Sequence, residues 1–129
     1  MSGGPGSDVF EAGMAMRRKT LGDAHVDRSL GNASDFDRPF QEFITEHAWG
    51  ALWTRPGLEP RERSLLTLAI LAALGREEEL ALHIRATANT GATPEEIREA
   101  LLHVAIYAGV PAANAAMRVA RRVLEEQGR

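Results

Sequence analysis

Arg76, Glu79 and His83 stand at i, i+3 and i+7 in the segment 76–89, REEELALHIRATAN. On a helix these three share one face, and Glu79 and His83, one turn apart, lie within reach of each other. A carboxylate beside an imidazole favours the imidazolium and fixes the ring, which makes a proton donor that works near neutral pH. An arginine one turn away suits a substrate carboxylate, because its planar fork binds carboxylates bidentately. The plain alternative is a surface Glu–His contact worth about 0.2–0.5 kcal/mol. Leu80 and Ile84 flank His83 and place it at the edge of an apolar face.

Other residue types offer less. Glu99, His103 and Tyr107 form an i, i+4, i+8 row, but His103 sits between Leu102 and Val104 and reads as a satisfied core or interface histidine. Trp53, Arg55, Arg61 and Arg63 bracket a loop before an apolar helix; those arginines are either solvated or form an anion site with the helix N-terminus. His25 and His47 have no ligand-spaced partners. There is no HExxH, no glycine-rich phosphate loop and no acidic metal cluster, so neither a metal nor another cofactor is indicated. With no cysteine, disulfides, thiolate metal sites and thiol nucleophiles are excluded together.

These side chains need helices to position them, and the pattern supplies helices. Residues 60–74 open with proline and run apolar on every side beyond Ser64, which predicts a central helix covered all round and ended by Gly75. A second helix over 76–89 follows, closed by Thr90-Gly91. Thr93, Pro94 and Glu96 then form a capping box with proline at the first helical position. The helix they open carries Ile97, Leu101, Val104, Ala105 and Ala108 as a core face and ends near Tyr107. A last helix over 111–127 turns Ala112, Ala116, Val119, Ala120, Val123 and Leu124 to one side. Earlier, 9–21 and 23–30 read as short helices. Ser34, Asp35 and Asp37 read as caps for a helix whose Phe36, Phe40, Phe43, Ile44 and Ala48 recur at helical spacing up to Gly50. Residues 51–60 read as a loop. No useful strand alternation occurs, so the expected fold is all-α.

At 129 residues, with 44% hydrophobic and 26% charged residues, the chain matches one globular domain. The expected division is a disordered leader over 1–8 and a single domain over 9–129. The net charge is −3, Lys19 is the single lysine, and no basic stripe interleaved with aromatics occurs, so nucleic acid is not an expected partner. The apolar run 64–75 is too short to span a bilayer, and the N-terminus lacks a basic segment followed by an apolar one, so a cytoplasmic protein without membrane partners is expected. The alanine-dense stretch AIYAGVPAANAAMRVA allows close helix approach, within one chain or between copies in a homo-oligomer.

The segments RSLLTLA, ELALHIRA, NTG, TPEEI and AIYAGVPAANAA, in this order and spacing, resemble the 4-carboxymuconolactone decarboxylase family over residues 36–125. The resemblance implies the all-α alkylhydroperoxidase D-like fold of about six to seven helices, assembled as a trimer or hexamer. It implies cofactor-independent decarboxylation of 4-carboxymuconolactone, a lactone dicarboxylate, in the protocatechuate branch of the β-ketoadipate pathway. Peroxidases of that superfamily carry a glutamate and then CxxCxxxH. With His83 on that motif's histidine, Arg76 and Glu79 replace the two cysteines and Ser64 the glutamate, which argues against peroxidase chemistry. On this resemblance His83 and Glu79 are the candidate catalytic pair. Arg76, Arg85 and Arg55 are candidates for carboxylate binding, and Trp53 for walling the site against water. Arg85, two residues from His83, is off that helix face and reads as solvated or as serving a neighbouring subunit. The alternative function is a non-catalytic helical oligomerisation or binding module on the same fold.

Overall fold

A computed structural model describes residues 3–129, all helix, turn and loop among the described residues. The elements are α1 (Asp8–Leu21), α2 (Asp23–Gly31), α3 (Arg38–Ile44) continuing into a π-helical segment (Thr45–Leu52), α4 (Pro60–Leu74), α5 (Glu77–Thr90), α6 (Pro94–Tyr107) and α7 (Val110–Glu126). Among the described residues no helix is long and apolar enough to cross a membrane. The chain divides into two compact units, Met1–Leu58 and Glu59–Arg129. Of the expected leader, residues 1–2 lie outside the described residues. Ser7 caps α1 by accepting from the Phe10 N–H, and Asp8 is already helical.

In the first unit α1 packs against the π segment. The inner face of α1 is Phe10, Gly13, Arg17 and Thr20, and the π segment answers with Thr45, Trp49 and Gly50. The backbones meet at the two glycines: a Cβ on Gly13 would lie 2.7 Å from Gly50 N, and one on Gly50 would lie 3.0 Å from Val9 Cγ1. Only a residue without a Cβ fits such a seam. Pairing in the π segment steps back five residues, as the Trp53 N–H shows by donating to Ala48 O at 3.0 Å.

This segment overturns one expectation. Phe36, Phe40 and Phe43 recur at helical spacing, yet they are 94%, 61% and 61% exposed. The α-helix is only Arg38–Ile44, and the change to π at Thr45 shifts the phase, so Thr45, Trp49 and Gly50 turn inward instead. The expected loop over 51–60 loses its first two residues to the same segment.

The second unit is a four-helix arrangement with a continuous apolar core. Leu68, Leu80, Ile84, Ile97, Leu101 and Val123 are almost wholly buried, each contributing about 1.5–3 kcal/mol by leaving water. A capping box opens α6: Thr93 Oγ1 accepts from the Glu96 N–H and the Glu96 carboxylate accepts from the Thr93 N–H. Glu59 and Glu62 form a similar box at the start of α4, and Gly75, left-handed at φ 73°, ends it. The expectation that α4 is covered all round does not hold. Ser64, Leu68 and Ala72 face inward, but Leu66, Ile70 and Leu74 on the opposite side are each more than half exposed, because α5, α6 and α7 pack on one side of it.

Candidate functional site

α5 is the helix that carries the chemistry-bearing face. Its first turn holds Glu77, Glu78 and Glu79, acids that favour the positive end of the helix dipole. Arg76 is the N-cap, just outside the helix, and its carbonyl accepts from the Leu80 N–H at 2.8 Å. Arg76 and Glu79 are exposed, whereas His83, one turn further, is half-buried between Leu80 and Ile84 with its Nδ1 atom covered. Glu79 and His83 thus lie one turn apart on α5, with the carboxylate exposed and the imidazole at the edge of the core.

The far end of α5 is anchored by the end of α7. Gln127 donates to the Arg85 carbonyl at 3.1 Å, and the Arg129 guanidinium donates to Thr87 Oγ1 at 2.9 Å and to the Ala92 carbonyl at 3.0 Å. Thr87 is wholly buried. Ser64 is also wholly buried and shares a 2.7 Å hydroxyl–hydroxyl hydrogen bond with Thr90. These bonds fix both faces of the helix behind His83. Arg85 turns away from the His83 row, as its spacing requires, and lies 3.6 Å from Glu126 in an ion pair exposed on both sides.

The remaining candidates lie apart in the chain. Trp53 belongs to the first unit, buried with its ring 4.9 Å from Trp49 and tilted by 37°. Arg55 is exposed in the loop that follows. Arg61 pairs with Glu96 in α6 at 2.5 Å, which removes it from a free anion site, and Arg63 is buried. His103 is not a core histidine: it is exposed and stacks on Tyr107 at 5.9 Å.

Concavities in the second unit include one of about 200 Å³ between α6 and α7, whose lining includes Arg98 and Arg121. A larger one, about 340 Å³, is lined by Leu65, Glu95, Glu96, Glu99, Ala100 and His103. Glu95 and Glu99 line it without a cation in its lining, and Glu96 is already held by Arg61, so it is a poor seat for a dicarboxylate. A small one, about 30 Å³, lies at the α4–α5 turn against Gly75, Arg76, Leu80 and Ala112, and has room for water but not for a metabolite.

One residue escaped the sequence reading. Arg17 is 3% exposed, inside the first unit. Burial pulls its guanidinium below the ordinary arginine range, and the neighbouring charge of Arg18 acts in the same direction. It remains protonated at neutral pH. The signal was present: counting in helical steps from Phe10 through Gly13 places Arg17 on the inner face of α1.

The family described as the carboxymuconolactone decarboxylase family matches residues 38–122. The 4-carboxymuconolactone decarboxylase of Acinetobacter baylyi is 50% identical over 119 residues, covering 92% of this chain and 89% of that protein. The nitrosuccinic acid decarboxylase of Metarhizium robertsii is 45% identical over 118 residues, covering 92% of this chain and 82% of that protein. The 4-carboxymuconolactone decarboxylase of Pseudomonas putida is 58% identical over 41 residues, which is 32% of this chain and 85% of the sequence compared.

Proposed function

Because this chain belongs to the carboxymuconolactone decarboxylase family, we propose that it is a carboxy-lyase converting 4-carboxymuconolactone to 3-oxoadipate enol-lactone in the β-ketoadipate pathway. The observation that carries the reading is 50% identity with the Acinetobacter baylyi enzyme over 92% of the chain. The family match runs from residue 38 to 122, across the boundary between the two units, and supports residues 9–129 acting as one functional domain.

The chemistry asks little of a cofactor. The departing carboxylate sits on the ring carbon vinylogous to the lactone carbonyl. When its C–C bond breaks, CO2 leaves and the electron pair passes through the ring C=C onto the carbonyl oxygen. The resulting 2-oxyfuran-like dienolate takes a proton at the carbon α to the carbonyl, which gives the enol-lactone. The protein must bind two carboxylates, stabilise the oxyanion and deliver one proton.

His83 delivers that proton or hydrogen-bonds the oxyanion. Glu79 is its partner or the acid itself. Support comes from their common helix, the half-buried imidazole, and the hydrogen bonds that immobilise α5 behind it. Arg76 and Arg55 bind carboxylates, and Trp53 excludes water. Arg85 is the weaker carboxylate candidate, since it already lies near Glu126.

The exposed rows Leu66, Ile70, Leu74 on α4 and Leu102, Ile106 on α6 support assembly of copies into a trimer or hexamer. A cytoplasmic location is proposed with it. The relatives named as decarboxylases leave the non-catalytic module without support.

One observation favours a second substrate. Nitrosuccinic acid, which gives the Metarhizium robertsii relative its name, is also a dicarboxylic acid with an electron-accepting group beside a carboxylate. Incubating the purified protein with each acid and measuring CO2 decides between them. One CO2 per carboxymuconolactone consumed, at a rate far above nitrosuccinate, is the expected result. Turnover of nitrosuccinate alone transfers the function to that substrate, and turnover of neither removes the reading.

A further inference from the structure

We infer that Arg17 is a positioning residue for the reaction: it sets the α-to-π transition at Thr45 and, through that transition, the direction in which Trp53 points. The inference rests on the proposed function only for the role of Trp53.

The starting observation is a charge in a costly place. Arg17 is 3% exposed, pairs with no acid among the described residues, and its buried Nε has no hydrogen-bond partner among them. A charge taken out of water without an opposite charge disfavours folding, and an apolar side chain of similar length stabilises such a site better. Arg17 is therefore poorly explained as a stability element.

Its remaining donors are specific. Nη1 donates to Thr45 Oγ1 at 2.9 Å, and Nη2 donates to Gln41 Oε1 at 2.8 Å. Thr45 Oγ1 in turn donates to the Gln41 carbonyl at 2.8 Å, the same carbonyl that the Thr45 backbone N–H reaches while also reaching the Glu42 carbonyl. One rigid guanidinium fork thus gathers two side chains a turn apart. It holds the Thr45 hydroxyl against the helical hydrogen-bond ladder where α-helix ends and π-helix begins. Side chains inserted in the ladder are among the recognised causes of such irregularities, and π turns often mark functional sites.

The consequence falls on the tryptophans. A π turn holds one more residue than an α turn, so it rotates everything beyond it by about 100° relative to an unbroken α-helix. Trp49 and Trp53 are both buried in that π phase, with rings 4.9 Å apart. In an α phase the two rings would leave this face together.

Arg17→Met, which keeps the stem and removes the donors, tests this beside Arg17→Lys and Thr45→Val. The readouts are the near-UV circular dichroism of the tryptophan pair, and kcat and KM on 4-carboxymuconolactone. Arg17→Met and Thr45→Val are expected to keep the far-UV spectrum, lose the near-UV tryptophan signal, and lower kcat/KM at least tenfold, mostly through KM. Arg17→Lys, able to reach one of the two acceptors, is expected to fall between. If Arg17→Met does not fold, Thr45→Val decides. A shift in melting temperature with unchanged near-UV signal or unchanged KM overturns the inference. If the wild-type protein turns over no carboxymuconolactone, the proposed function fails on its own. The near-UV signal then still decides whether Arg17 sets the tryptophan pair.

Discussion

Gly13→Ala puts a single methyl group where two backbones touch. The new Cβ would lie within 3 Å of the Thr45 carbonyl oxygen, 2.7 Å from Gly50 N and 2.9 Å from Gly50 Cα. All three are backbone atoms, so no side chain can rotate away; α1 and the π segment must separate by well over ~1 Å to restore ordinary contact at about 3.5 Å. Overpacking of this kind costs about 1–3 kcal/mol, and with only backbone to yield the upper end applies. Replacing a helical glycine with alanine returns about 1 kcal/mol in helix propensity. The net expectation is a loss of about 2 kcal/mol, or roughly 6–10 °C in Tm for a chain of this size. Urea and thermal unfolding followed by circular dichroism measure it. Gly31→Ala, where a Cβ meets nothing within 4 Å, is the control and is expected to be neutral or stabilising. A Gly13→Ala variant as stable as wild type, or more so, would mean that propensity outweighs the seam and that the close approach of α1 to the π segment is wrong.

Three further tests probe other joints. The Asp37 carboxylate accepts from the Ser34 N–H at 2.6 Å, chiefly for which its pKa lies below the ordinary 3.8. A folded value below the unfolded one stabilises at neutral pH, and this contribution is lost as pH falls from about 4 through the lower folded value. Comparing acid unfolding of wild type and Asp37→Asn between about pH 2 and 6 should show that limb in the wild type alone. Arg129→Ala removes donors to Thr87 Oγ1 and the Ala92 carbonyl, and is expected to cost about 1 kcal/mol and to speed amide exchange at the end of α5; unchanged exchange there would mean that the anchor is idle. Thr93→Ala removes the N-cap of α6 and is expected to cost about 1 kcal/mol by urea unfolding.

The second unit was largely legible in the sequence because its signals are local. Pro60 and Gly75 bracket α4, Thr93-Pro94-Glu96 opens α6, and the apolar periodicity of α6 and α7 names the buried Ile97, Leu101, Val104, Ala116, Val119, Ala120 and Val123. The same arithmetic placed His83 at the edge of the core, although Arg76, expected on the same helical face, stands outside α5 as its N-cap with non-helical backbone. The first unit was less legible because its decisive features are not local. The π segment is hydrogen-bonded to a guanidinium 28 residues away, a contact that no local pattern shows, and the phenylalanine row was read in the wrong phase. Residue type argues that an arginine belongs outside, and only the spacing from Phe10 argues otherwise. The open side of α4 was unreadable for a related reason: an all-round apolar helix says that it wants covering, not where its neighbours in the chain will lie.

The claim that α5 presents an acid–base face is tested most directly by the turnover of 4-carboxymuconolactone by wild type and by His83→Ala, measured as CO2 released per second at saturating substrate. General acid catalysis supplies about 10²–10⁴-fold, so the His83→Ala kcat is expected to fall at least 100-fold with the helical spectrum unchanged. A His83→Ala protein that releases CO2 within threefold of the wild-type rate would contradict the assignment.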